Sequence, residues 1–409
     1  MTKQAAVAVL LAALCLAGCG APGTRNAVAT FAGDVSFLKA HTDAIVLSDK
    51  AGQAQVAVVP LYQGRVMTST AGGPEGTSYG WINRKLVASG ERKPQFNAFG
   101  GEDRMWLGPE GGQFSIYFPK GASDKFDFKD WQVPAPIDWG GWAVVSKDPT
   151  SAHFRNTFSL INFSGTKLDI QADRFVRLLE PADVKKHFGV DVPSGVKAVA
   201  YESDNNVKNA GSNAWDKRTG AVSIWILCMY NPSPATTIVI PYVEGPEEKL
   251  GPIVNDTYFG KVAANRLKAK GGVLFFKADG CERGKIGFSP KRAKPIIGSY
   301  DAANHVLTLA TYTKPEGATD YVNSMWEIQK EPFRGDVVNS YNDGPTPAGP
   351  PLGPFYEIES SSPAAFLKPG ESVKHCHRTL HLQGDEAQLD SLAKAALGVG
   401  LAEIKDALK

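Results

Sequence analysis

Glu357 and Glu359 stand two positions apart in Tyr356-Glu357-Ile358-Glu359, so in a strand they share one face while Tyr356 and Ile358 take the other. Their α-carbons would lie about 6.5 to 7 Å apart at the rise of an extended chain. Two carboxyls that close, in a partly dry site, perturb each other enough to supply a proton donor and a proton acceptor at neutral pH. This suits acid/base work on sugars, and glycosidases place their carboxyl pairs over a range, about 5 to 9.5 Å, that includes the spacing. The bland alternative is a solvated strand face carrying two ordinary glutamates.

Some 250 positions upstream, Gly100-Gly101-Glu102-Asp103-Arg104 sets three charges beside two glycines and ahead of Trp106. Glycine lets backbone approach a ligand, Arg104 with Glu102 or Asp103 can grip hydroxyls, and Trp106 can stack on the apolar face of a pyranose. Glu110 and Gln113 extend the same loop, while Tyr230 and Asn231 close an apolar strand before Pro232. All are substrate-binding candidates, against the plainer reading of an ion-paired turn and core aromatics. His375, His377 and His381 share a strand face, opposite Cys376 and Arg378. An HxH pair on a strand can hold zinc if Glu357 or Glu359 supplies a third ligand. The sequence offers no calcium-loop, phosphate-loop, CxxC or GxSxG spacing, so no cofactor or resident metal is expected.

The elements that must position these residues read mostly as strands. Short apolar or alternating runs fall at 44–47, 55–60, 65–69, 114–118, 142–145, 157–163, 167–179 and 197–202. They continue at 222–230, 236–243, 272–276, 305–313, 356–359 and 372–382, at least fourteen strands in all. Helical spacing is clear only at 181–188 and at 386–408, the latter interrupted by Gly398 and Gly400. One large antiparallel all-β domain over 32–383, with a short C-terminal helix over 384–409, is the simplest organisation.

The first residues give an address. Lys3, an apolar run over 5–16 and Leu16-Ala17-Gly18-Cys19 read as a signal peptide, 1–18, whose run is too short to span a bilayer. Leu-Ala-Gly-Cys resembles the bacterial lipobox, which implies cleavage before Cys19, its lipidation, and a tether over 19–31. Several acyl chains make a stable anchor, so the only expected membrane contact is through lipid. Gly20 rather than Asp follows, which by that resemblance points to the outer membrane facing the periplasm. With 44 Lys plus Arg against 42 Asp plus Glu, the chain has no strongly basic footprint, so nucleic acid is not an expected partner. Beyond Cys19, the cysteines Cys228, Cys281 and Cys376 are odd in number, and spacing selects no pair.

Several motifs in order carry a resemblance. They are Val59-Pro60 with Gly64-Arg65-Val66; Phe96-Asn97-Ala98-Phe99-Gly100-Gly101-Glu102-Asp103-Arg104-Met105-Trp106; Pro354-Phe355-Tyr356-Glu357-Ile358-Glu359-Ser360; and Lys368-Pro369-Gly370-Glu371. Over residues 38–382 the chain resembles the galactose mutarotase-like superfamily, in an uncharacterised branch of bacterial lipoproteins. The resemblance implies a β-supersandwich whose concave sheet holds carbohydrate, with Glu359 or Glu357 as the base toward the anomeric hydroxyl. The family's histidine acid has no counterpart on the strand 223–231, which leaves the role to His375 or His377. Asn83-Arg84 is similar to an Asn-Arg pair that contacts sugar in mutarotases, although Gly80-Trp81-Ile82 departs from that pattern. The expected function is therefore an envelope lipoprotein that binds carbohydrate and epimerises or cleaves it. The alternatives are a non-catalytic glycan-binding lipoprotein and a metal-dependent enzyme built on the His375/His377 strand.

Overall fold

A computed structural model of the chain describes residues 29–346 and 350–409; the expected leader and Cys19 lie outside them. The alternating runs pair into three antiparallel sheets of three, ten and five strands, giving an all-β supersandwich with helices at its C-terminal end. The five-stranded sheet runs in the order Gly284–Phe288, Val338–Asn342, Tyr356–Ser361, Ser223–Tyr230, Arg104–Gly108. A backbone bridge from Val66 to Asp103 ties it to the three-stranded sheet of Ile45–Ser48, Gln55–Val59 and Arg65–Thr70. Both lie against one face of the ten-stranded sheet, whose centre is formed by Ile296–Asp301, Val306–Tyr312, Ser372–Gln383 and Lys197–Asn209.

Between the layers sits the main apolar core, with Ile224, Ile226, Cys228 and Ile358 from one side and Ile170, Val199, Val207 and Ala310 from the other. The opposite face of the ten-stranded sheet is covered by the C-terminal helices Glu386–Leu397 and Leu401–Asp406. Leu389, Leu392, Leu397 and Leu401 pack there on Leu307, Leu309, Leu380 and Leu382. Gly398 divides the two helices because it takes a left-handed backbone, φ 75°, to cap the first. These helices therefore cover a sheet face, and only the face-covering role accounts for their apolar stripe.

Three local expectations change. Residues 114–118 form no strand, although Phe114, Ile116, Tyr117 and Phe118 are all buried. The segment is a loop folded on itself, with Tyr117 OH donating to Leu107 O at 2.8 Å. Strands absent from the sequence reading appear at Arg104–Gly108, Leu267–Lys270, Gly284–Phe288, Ile296–Asp301 and Val338–Asn342. A helix, Phe31–His41, begins where the tether was expected to end, capped by Thr30, whose side chain accepts from Gly33 N.

Asn83 and Arg84 are helix-terminus residues. Asn83 Oδ1 accepts from Leu86 N at 3.1 Å as N-cap of Arg84–Ser89, and Arg84 pairs with Asp34 at 2.5 Å while lying 4.5 Å from the Phe37 ring centroid. Asn83→Ala is expected to cost about 1 kcal/mol, the usual worth of a lost N-cap. A urea midpoint indistinguishable from wild type would contradict that role.

Candidate functional site

Direct strand partners in an antiparallel pair share a face, so the register identifies what the five-stranded sheet presents. Glu359 pairs with Leu227 and Asn339, Glu357 with Met229 and Tyr341, Arg104 with Leu227, Trp106 with Trp225, and Lys285 with Tyr341. These residues project away from the ten-stranded sheet. Their neighbours Tyr356 and Ser360 point inward, where Tyr356 OH meets Ser299 Oγ at 2.8 Å and Ser360 Oγ lies 2.8 Å from His375 Nε2 and 2.9 Å from His377 Nδ1.

On that outer face the two glutamates have separate cations. Arg104 Nη2 donates to Glu357 Oε1 at 2.8 Å, joining positions 253 residues apart. Lys285 Nζ and Trp225 Nε1 both donate to Glu359 Oε2 at 2.9 Å. Glu359 Oε1 has no hydrogen-bond partner among the described residues, and neither have Arg104 Nε and Nη1. Trp106 and Trp225 back the pairs: the Arg104 guanidinium lies 4.2 Å from the Trp106 ring centroid, and Lys285 Nζ lies 4.7 Å from that of Trp225. Burial raises the Glu357 carboxyl to about 7, with Arg104 pulling it down and Glu359 pushing it up.

Glu110 joins from the loop after Gly108, and burial pushes its carboxyl upward while Lys285 opposes that shift. Its backbone N–H donates to Ser324 Oγ at 3.1 Å. Together with Ser223, Trp225, Lys285 and Asn339, Glu110 lines a cleft whose free volume is about 20 Å³. The arrangement sets three carboxyls and two cations over tryptophan rings. One carboxylate oxygen is free to accept, and one carboxyl is poised to hold or release a proton near neutrality.

Other residues picked out from the sequence lie elsewhere. Glu102 and Asp103 are enclosed behind the sheet. Glu102 accepts from Ser69 Oγ at 2.8 Å and Tyr201 OH at 3.0 Å, and meets His381 Nε2 at 3.1 Å. Asp103 accepts from Arg174 Nη2 at 2.6 Å and Ser203 Oγ at 2.8 Å. Tyr230 OH is 3.3 Å from Thr379 Oγ1, also between the layers. Asn231 anchors backbone by donating to Gly80 O at 2.9 Å, and Gln113 clamps a loop through both the N–H and C=O of Gln329.

His375 and His377 are buried on the inner side of the sandwich, and burial lowers them to about 3 and about 4. Glu357 and Glu359 face the other way, so neither can complete a metal site with the HxH pair. Among the described residues no group of three His, Cys, Asp or Glu side chains is placed to hold a metal ion.

Lys285, Trp225, Asp336 and Asn339 are site members that the motif reading passed over. For Lys285 the signal was available in Gly284-Lys285-Ile286-Gly287-Phe288, a polar-in-alternation run hidden by two glycines. For Trp225 there was none, because both faces of its strand are apolar.

A family model described as "Family of unknown function (DUF6786)" matches residues 29–408. No curated protein matches the chain. Among solved structures, the Slr1438 protein from Synechocystis sp. PCC 6803 is 11% identical, covering 84% of this chain and 96% of its own, with a TM-score of 0.49. A galactose mutarotase-like protein from Lactobacillus casei is 10% identical over 83% of this chain and 100% of its own, with a TM-score of 0.46. A galactose mutarotase related enzyme from Lactobacillus acidophilus is 8% identical over 83% and 97%, also with a TM-score of 0.46.

Proposed function

The chain belongs to the DUF6786 family of unknown function, and from the geometry of its outer sheet face we propose that it binds carbohydrate there and exchanges protons with it. The observation that carries the reading is the asymmetric pair. Glu359 is held by Lys285 and Trp225 through one oxygen with the other left free, while Glu357, two residues along the same strand, is raised to about 7. The cation-held carboxylate with a free oxygen is the acceptor in this reading, and the raised carboxyl is the donor.

The substrate in this reading is an aldose. Glu359 Oε1 takes the proton of the anomeric hydroxyl while protonated Glu357 gives its proton to the ring oxygen. The bond between the anomeric carbon and the ring oxygen breaks, leaving the open-chain aldehyde. Rotation and the reverse transfers close the ring with the other configuration. Trp225, which lines the cleft, supplies the aromatic surface beside which a pyranose would lie, while Trp106 backs Arg104.

The test follows interconversion of anomers by proton NMR across a panel of aldoses and small glycans, with calorimetry for binding. Exchange faster than buffer and lost in Glu359→Gln is the expected result. Binding without exchange or bond cleavage would select the non-catalytic glycan-binding alternative. Absence of binding to every sugar would remove the carbohydrate reading.

We also propose that the protein is a lipid-anchored component of the bacterial envelope, at the outer membrane facing the periplasm. This rests on Leu16-Ala17-Gly18-Cys19 behind an apolar run. No helix among the described residues is long and apolar enough to cross a membrane. Metabolic labelling with a palmitate analogue should mark the wild-type chain and leave Cys19→Ser unlabelled; equal labelling of both would refute the anchor.

A further inference from the structure

The cleft as folded is full. Its free volume of about 20 Å³ holds little more than a water molecule, whereas pockets that take small molecules begin at about 300 Å³. Tyr258 is part of its lining, carried by the segment between the helix Glu247–Leu250 and the strand Leu267–Lys270. The Tyr258 hydroxyl donates to Asp336 Oδ2 at 2.6 Å and accepts from Asn339 Nδ2 at 3.2 Å. Lys285 Nζ lies 5.6 Å from its ring centroid.

The seat for that hydroxyl is built into the sheet. Asp336 Oδ2 also accepts from Asn255 Nδ2 at 3.2 Å, and Asn339 Nδ2 also donates to Ile286 O at 3.2 Å. Gly287 leaves the room they need: a Cβ there would come 2.1 Å from Asp336 Oδ2 and 2.5 Å from Asn339 Nδ2. Ser223 Oγ, buried and facing the same cleft, has no partner among the described residues. A carboxylate that accepts and an amide that donates, converging on one hydroxyl, form a complete recognition set for an alcohol.

We propose that Asp336 and Asn339 are a hydroxyl-binding subsite occupied in the free protein by Tyr258, and that a sugar hydroxyl takes the place of the Tyr258 hydroxyl when ligand enters. This rests on the carbohydrate reading of the same sheet face, to which the cleft is joined by Lys285 and Trp225, the two donors to Glu359. The exchange is one for one: the ligand remakes the bonds that Tyr258 gives up, so Asp336 is never left buried and unpaired. The segment holds to the edge strand Gly284–Phe288 through Asn255 and reaches the surface at Phe259. Asn255 exchanges backbone hydrogen bonds with Gly287 at 2.8 Å each way. Phe259, next to Tyr258, is 48% exposed and packs on the Arg283 guanidinium 3.7 Å from its ring centroid.

Two measurements on the full chain test the proposal. With Ser324→Cys as reporter on the cleft wall, labelling by methyl methanethiosulfonate, followed at that peptide by mass spectrometry, should speed up about tenfold or more when Tyr258→Ala is added. Equal rates would overturn the plug. By calorimetry with neutral aldoses, Tyr258→Ala should bind about tenfold tighter than wild type, the worth of one or two hydrogen bonds. Asp336→Asn on that background should remove the gain. Binding by Tyr258→Ala that is equal to or weaker than wild type would overturn the proposal, since Tyr258 would then be an ordinary wall of the site. If the alanine variant does not fold, Tyr258→Phe keeps the ring and should move both readings the same way by a smaller factor. Faster labelling with no sugar bound by any variant would count against the carbohydrate reading alone.

Discussion

Arg174→Ala is expected to destabilise the fold by about 3–5 kcal/mol, because it removes the cation from a buried ion pair and leaves the carboxylate behind. Arg174 is fully enclosed, and each of its three side-chain nitrogens donates. Nε donates to Gly64 O at 3.0 Å, Nη1 to Asn205 Oδ1 at 2.7 Å, and Nη2 to both Asp103 O at 2.9 Å and Asp103 Oδ1 at 2.6 Å. Truncation would leave the Asp103 carboxylate with only Ser203 Oγ, and would strand Gly64 O and Asn205 Oδ1, while Asp103 O would keep the Val66 N–H. The double variant Asp103→Val with Arg174→Met should recover much of the loss, since an apolar pair of similar size does not bury an unpaired charge. Urea denaturation at neutral pH reads both; a loss below about 1 kcal/mol for Arg174→Ala would show that the pair does not hold the layers together.

The same pair explains why Glu102 and Asp103 could not be placed from the sequence. Two consecutive carboxylates ahead of a strand look solvent-facing or ligand-facing, and alternation would send them to opposite sides. Instead the chain enters the sheet through Gly100 and Gly101, with φ of 93° and 114°. A Cβ at Gly101 would meet the Arg65 side chain at 2.7 Å. That turn lets both side chains go inward, Glu102 to Ser69 and His381, Asp103 to Arg174. No local periodicity records such a bend.

Alternation alone did place Glu357 with Glu359 on one face and the three histidines on one face. What it left open was which side of a sandwich each face takes. Strand Ser372–Gln383 packs leucines on the C-terminal helices and turns its histidines toward the five-stranded sheet, which is settled by sheet order and helix docking rather than by the strand. The long strands Lys167–Leu178 and Ser372–Gln383 were legible almost to their ends, whereas Ser151–Ile161 was read from 157 onward and Lys197–Asn209 only as far as 202, because their remaining residues are largely polar. The short Gly284–Phe288 strand was not legible, because glycine in an edge strand weakens the local signal even where, as at Gly287, it makes room for a functional pair.

Glu359→Gln is expected to lower the rate of anomeric exchange by about 10²-fold or more, within the range a general base contributes. Affinity for the sugar should change only a few-fold, because the amide keeps the side chain's size and still accepts from Lys285 and Trp225. Glu357→Gln should lower the rate as well, with a different pH signature. In the wild type the donor must carry its proton, and its carboxyl is raised to about 7 by burial. The rate should therefore hold below that value and fall as pH rises through it; in Glu357→Gln the residual rate should lose that descending limb. His375 and His377 cannot substitute as the donor near neutrality. Burial holds them at about 3 and about 4, so they are unprotonated there, and they lie on the inner side of the sandwich. His377→Gln should accordingly keep the wild-type pH profile, whatever it does to stability. A profile that loses its limb in His377→Gln and keeps it in Glu357→Gln would exchange the two roles and move the chemistry to the inner side of the sheet.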